Sequence, residues 1–149
     1  MTEVAHSQVV AAPGATVWAV LADFPSLAQW APEISHSSSM SAATEGIGMV
    51  RRVAVGATVL LERVTEWEPL VSLAYELEGL PPMISSAVNR WTLSAEGADT
   101  MVTLTATVEP GPKPPMKVVA AMAARKIGST NKMLLDCLAA EAEKRGAAS

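Results

Sequence analysis

The stretch from Met101 to Leu138 reads MVTLTATVEPGPKPPMKVVAAMAARKIGSTNKMLLDCL. It begins with an alternation, Val102, Leu104, Ala106 and Val108 against Met101, Thr103, Thr105 and Thr107, which is the period-two pattern of a strand with one buried face. The run Pro110-Gly-Pro-Lys-Pro-Pro115 suits neither a central strand nor a helix interior, so it must redirect the chain between layers. Beyond it, Met116, Ala120, Ala123, Ile127, Leu134 and Leu138 fall within one narrow arc of a helix, with Lys117, Arg125 and Lys132 on the opposite side. A strand leading through a redirecting connector into a long amphipathic helix predicts a helix packed across a sheet. Gly128 interrupts that helix at a cost of about 1 kcal/mol relative to alanine, which predicts a kink or a close approach near its middle.

Upstream, the punctuation is that of an antiparallel meander. Gly46-Ile-Gly48, Val55-Gly56-Ala57, Glu68-Pro69, Gly79-Leu-Pro-Pro82 and Gly97-Ala-Asp99 separate β-rich runs near 34–43, 48–55, 58–67, 71–79, 85–96 and 100–109. In the run 85–96, Ala87, Asn89, Trp91 and Leu93 share one face. Before the meander, residues 3–11 read as a first strand, stopped by Pro13. Val17, Trp18, Leu21 and Phe24 then recur at helical spacing, predicting a short helix over 13–22. Asp23 and Pro25 end it, and a further helical turn through Leu27 and Trp30 stops before Pro32. The expected fold is α+β: a curved antiparallel sheet of about seven strands gripping a long C-terminal helix, with two short helices, in one domain over 1–149.

Bulk properties restrict the function classes. A chain of 149 residues with 50% hydrophobic and 17% charged residues can bury a self-sufficient core and is not disordered. A net charge of −4 argues against nucleic acid, which needs clustered lysine and arginine to meet phosphates. No apolar run reaches the ~20 residues of a membrane span, and no leader pattern opens the chain, so a cytoplasmic location is expected. The lone Cys137 sits in the helical pattern and reads as a small apolar residue. His6 and His36 fall on separate strands without ligand spacing to any other candidate, so no metal is expected. Dinucleotide, nucleoside-triphosphate and serine-hydrolase motifs are missing, so no cofactor and no catalytic residue is assigned.

Ala12-Pro13, Val17-Trp18, Leu21, Asp23-Phe24 and Trp30-x-Pro32 together resemble the opening signature of the START-like superfamily, also called SRPBCC or Bet v 1-like, including its polyketide cyclase/dehydrase group. Arg63-Val-Thr-Glu-Trp-Glu-Pro69 resembles that family's strand end before the next hairpin, and the order of elements fits along essentially the whole chain. The resemblance implies a helix-grip fold with a deep cavity for lipids, sterols, polyketides or other apolar ligands. It leaves activity open, since such proteins include transporters, sensors, cyclases and members of toxin–antitoxin pairs.

The expected site is an apolar cavity between sheet and C-terminal helix, lined by Tyr75, Leu77, Met83, Asn89, Trp91, Leu104, Met116, Ala120, Ala123 and Ile127. Asn89 shares its face with Trp91 and Leu93; if that face is inward, the amide needs a protein, water or ligand partner. Tyr75 can orient a ligand through its hydroxyl or complete the core. Arg51, Arg52, Glu62, Arg63, Glu66 and Arg90 read as the wet face of the sheet, with cross-strand pairs such as Arg52 with Glu62. Trp18, Trp30 and Trp67 read as anchors of the short helices and the sheet end. The leading expectation is a binder or carrier of a lipid- or polyketide-like molecule. A cyclase- or dehydratase-like enzyme working by acid–base chemistry in the same cavity is the alternative. A toxin-like or regulatory protein-interaction module is the third, with no residue arguing for it, and homodimerisation is left open.

Overall fold

The computed structural model describes residues 1–81, 84–112 and 116–148. The chain runs β1 (Thr2–Val10), α1 (Gly14–Ala22), a 3-10 turn (Phe24–Ser26), α2 (Leu27–Trp30), β2 (Ile34–Ser39), β3 (Val50–Val55), β4 (Thr58–Glu68), β5 (Ser72–Glu78), β6 (Ile84–Glu96), β7 (Asp99–Pro110) and α3 (Met116–Ala148). The strands form one seven-stranded antiparallel sheet in the order β1-β7-β6-β5-β4-β3-β2, so the chain-terminal strand β7 brings β1 back beside it. This is the expected α+β grip, and the predicted strands match within a few residues except at β2. That strand stops at Ser39 because its successors turn onto themselves: Ser39 Oγ donates to the Ser41 carbonyl, Ser41 Oγ to the Ala43 carbonyl, and Ser41 Oγ accepts from the Val50 amide. Local side-chain bonds of this kind compete with a ladder. Gly46 and Gly48, with φ of +86° and +93°, complete the loop in a backbone region that other residues avoid.

Two covers close the inward face of the sheet. α3 lies across β1 and β7 and touches α1, while the 3-10 turn and α2 lie against β2 and β3. The short helices hold on through bulky residues: Val17, Val20, Leu21, Phe24, Leu27 and Trp30 are all buried in the main core with Leu73, Tyr75 and Trp91. Trp18 meets Trp67 edge-on with ring centroids 5.2 Å apart, and Phe24 meets Tyr75 likewise at 5.4 Å. Such pairs add ~0.5–1.5 kcal/mol beyond the area they bury. Trp18, Trp30 and Trp67 thus sit where their anchoring role was expected.

The inward arc of α3 is Ala120, Ala124, Gly128, Asn131, Leu134, Leu135, Leu138, Ala139 and Ala142, with Ala123 and Ile127 half-buried at its edge. Small residues fill its first half and leucines its second. Gly128 lies within continuous helix, and of the two expectations the close approach is what the packing shows. A β-carbon there would stand 2.8 Å from Val4 Cγ1 on β1, nearer than such atoms come. Glycine therefore lets the helix settle onto the edge strand.

Candidate functional site

Between the two covers lies the middle of the inward face, on β3 to β6, and polar side chains gather there. The strand registers set them in rows: Arg51 opposite Glu62, Glu62 opposite Leu77, Val64 opposite Tyr75, Tyr75 opposite Asn89, and Asn89 opposite Ala106. Arg51 and Glu62 are 4% and 6% exposed, which overturns their expected place on the wet face. The expected Arg52–Glu62 pair is likewise replaced by Arg51–Glu62. The reason is the turn at Gly56-Ala57: it pairs Val55 with Thr58, and counting back puts Arg51, not Arg52, across from Glu62. Arg63, Glu66 and Arg90 do lie on the outer face, in half-exposed pairs Arg63–Glu78 at 2.8 Å and Arg90–Glu66 at 3.0 Å.

Arg51 Nε donates to Glu62 Oε1 at 2.7 Å and its Nη1 to the Phe24 carbonyl at 2.9 Å. Its guanidinium lies over the Phe24 ring at 3.7 Å and reaches the Tyr75 ring at 4.8 Å. The charge is thus held by a carboxylate, a carbonyl and two aromatic faces, the partners that a buried guanidinium requires. Burial pushes the Tyr75 phenol above its ordinary pKa of 10.0; the nearby Glu62 carboxylate adds to the shift, while Arg51 opposes it. Tyr75 therefore stays protonated at neutral pH.

Next to this group, Asn131 Nδ2 donates to Asn89 Oδ1 at 2.8 Å, and Asn89 Nδ2 donates back to Asn131 Oδ1 at 3.3 Å and reaches Tyr75 Oη at 3.5 Å. The two amides are 3% and 1% exposed and tie α3 to β6. The face carrying Asn89, Trp91 and Leu93 is thereby the inward one, and the partner that Asn89 needs is Asn131. Asn131 was not anticipated. Its signal was available, for it falls between Ile127 and Leu134 on the apolar arc, where a polar residue has to find a buried partner.

Of the residues expected to line a cavity, Tyr75, Leu77, Asn89, Trp91, Leu104 and Ala120 are buried, and Ala123 and Ile127 are half-buried. Met83 and the side chain of Met116 lie outside the described residues. The gap bordered by Phe24, Leu27, Trp30, Arg51, Leu73 and Trp91 measures about 10 Å³, room for about one water. Trp30 Nε1 is buried at its edge with no acceptor among the described residues. A larger recess of about 470 Å³ lies at the β6–β7 turn, against Pro13, Gly14, Leu70, Leu93 and Asp99, and none of the expected residues borders it. His6 and His36 stand on β1 and β2, the two edges of the sheet. Burial pushes the Cys137 thiol pKa up, so it stays protonated in its helical setting. Among the described residues, no helix is long and apolar enough to cross a membrane.

The family model described as polyketide cyclase/dehydrase and lipid transport matches residues 1–143. Solved structures share the fold. The Zhui aromatase/cyclase from Streptomyces sp. R1128 is 22% identical with a TM-score of 0.75, over 97% of this chain and 94% of that one. A Thermobifida fusca protein solved by solution NMR is 24% identical with a TM-score of 0.75, over 97% and 95%. A START superfamily protein from Mycobacterium smegmatis is 20% identical with a TM-score of 0.74, over 95% and 97%. A sequence comparison with curated proteins gave no match.

Proposed function

The chain belongs to the polyketide cyclase/dehydrase and lipid transport family, and from that premise we propose that it binds an apolar, lipid- or polyketide-like small molecule between the sheet and α3. The observation that carries this reading is the buried polar cluster Arg51, Glu62, Tyr75, Asn89 and Asn131 set in a mainly apolar interior. A few convergent polar groups among apolar walls are what orient a ligand in a small-molecule site. Ligand pockets run to ~300–1,000 Å³, so a molecule enters here only by displacing part of the wall. The first half of α3 suits that movement, because among its described side chains Ala120 and Ala124 are the fully buried ones, Ile127 is half-buried, and Val118 and Met122 stand exposed.

Titration with naphthalene, followed through the four tryptophans and by native mass spectrometry, tests the reading. Saturable quenching with one molecule bound per chain is the expected result. A response that never saturates, with no bound mass, would reject it.

The convergence of Arg51, Glu62 and Tyr75 favours a second reading, a cyclase or dehydratase-like enzyme. A neutral phenol and a guanidinium can both donate to an oxygen on which negative charge develops, and Glu62 is a buried carboxylate able to take a proton. Incubation with a linear β-polyketone thioester separates the readings. Cyclised product that disappears in Tyr75→Phe favours the enzyme; bound but unchanged substrate leaves the protein a carrier.

A further inference from the structure

The Asn89–Asn131 contact is a self-complementary amide pair in which each side chain both donates and accepts. Every carboxamide has two N–H donors and a carbonyl with two lone pairs, so the pair leaves bonding capacity on both partners. Tyr75 Oη, within 3.5 Å of Asn89 Nδ2, extends the same polar spot. The nearby Arg51 guanidinium is matched by the Glu62 carboxylate at 2.7 Å. A purely structural link between α3 and β6 does not need two buried amides, because an apolar pair of similar shape serves as well or better. The pair also stands at the end of the thinly anchored half of α3, just past Ile127 and before the leucines Leu134, Leu135 and Leu138.

We propose that Asn89 and Asn131 form an exchangeable subsite: as a ligand enters, the two amides part and bond instead to a neutral donor–acceptor edge on it, such as a carboxamide, a protonated carboxyl or an enol beside a carbonyl. This rests on the reading of the interior as the ligand site. The resting protein holds its own stand-in for that edge, so the polar groups stay satisfied when the site is empty. Selection then falls on molecules that carry such an edge on an apolar body, and a plain hydrocarbon, unable to replace the amide bonds, gains nothing from them.

The test compares 2-naphthamide with naphthalene on the whole chain, in the native protein and in Asn89→Leu/Asn131→Leu. The ratio of the two dissociation constants is expected to move against the amide by roughly tenfold in the double variant, the worth of one to two net hydrogen bonds. An unchanged ratio would make the pair a cross-link and overturn the proposal. Failure of both probes to bind the native protein would instead overturn the reading beneath it. A measurement on the native protein guards against a double variant that does not fold. The side-chain amide NMR resonances of Asn89 and Asn131 should shift with 2-naphthamide and not with naphthalene, and an equal response to both would count against the exchange.

Discussion

Arg51 and Glu62 show how much one pair of residues depends on its partner. Glu62→Gln leaves a guanidinium buried without a counter-charge, and the expected loss is about 3–5 kcal/mol in urea unfolding. Arg51→Met/Glu62→Leu removes both charges together and should recover most of that loss, whereas two independent losses would show the pair to be uncoupled. Tyr75 gives a pH signature. Because its folded pKa is raised, its contribution is whole below the ordinary value of 10.0 and is lost as pH rises from there through the raised one. The native protein should therefore lose stability more steeply than Tyr75→Phe above that pH; parallel curves in denaturant titrations would refute the assignment. The legibility of these residues was uneven. Asn89 and Tyr75 stood out as polar residues on apolar faces, but Arg51 and Glu62 looked like ordinary members of a wet face. The turn at Gly56-Ala57 pairs Arg51 with Glu62, and strand alternation puts them on the same face as the buried Val53 and Val64, so both point inward.

At the scale of elements, α3 is two helices in one. Its second half is fastened by Leu134, Leu135 and Leu138, and its first by Ala120 and Ala124, so amides from about Val118 to Ile127 should exchange hydrogen faster than those from Leu134 to Ala142. Uniform protection along the helix would contradict that gradient. Gly128 is the contact on which the helix rests. Gly128→Ala gains about 1 kcal/mol of helix propensity but drives a methyl into Val4, an overpacking that costs ~1–3 kcal/mol, so thermal unfolding should show a net loss. Adding Val4→Ala vacates the space and should restore the helix–strand approach, seen as a positive coupling in a double-mutant cycle. The helix itself, its amphipathic arc and the special position of Gly128 were readable from periodicity. That Gly128 meets Val4 was not, because β1 reaches its place beneath α3 by pairing with β7, Thr2 opposite Val108, far along the chain.

For the whole molecule, binding and stability should be linked. A ligand held between sheet and α3 stabilises the folded chain by RT ln(1 + [L]/Kd), so the melting temperature should climb with naphthalene concentration. A flat response would argue against an interior site. The sequence by itself determined the architecture: alternation marked the strands, glycine and proline their ends, the 3.6-residue period the long helix, and the opening residues around Pro13, Trp18 and Trp30 the family resemblance. Each of these is a local signal, set by steric limits on the backbone and by the burial of one face. The buried polar cluster came from tertiary packing. That packing turned Arg51 and Glu62 inward, joined Asn89 to Asn131 across 42 positions of chain, and left a gap of about 10 Å³ beside Arg51. Those outcomes depend on register and on which cover reaches which strand, and they arise only when distant segments are packed at interior density, where a shift of one residue or one methyl group changes what meets what.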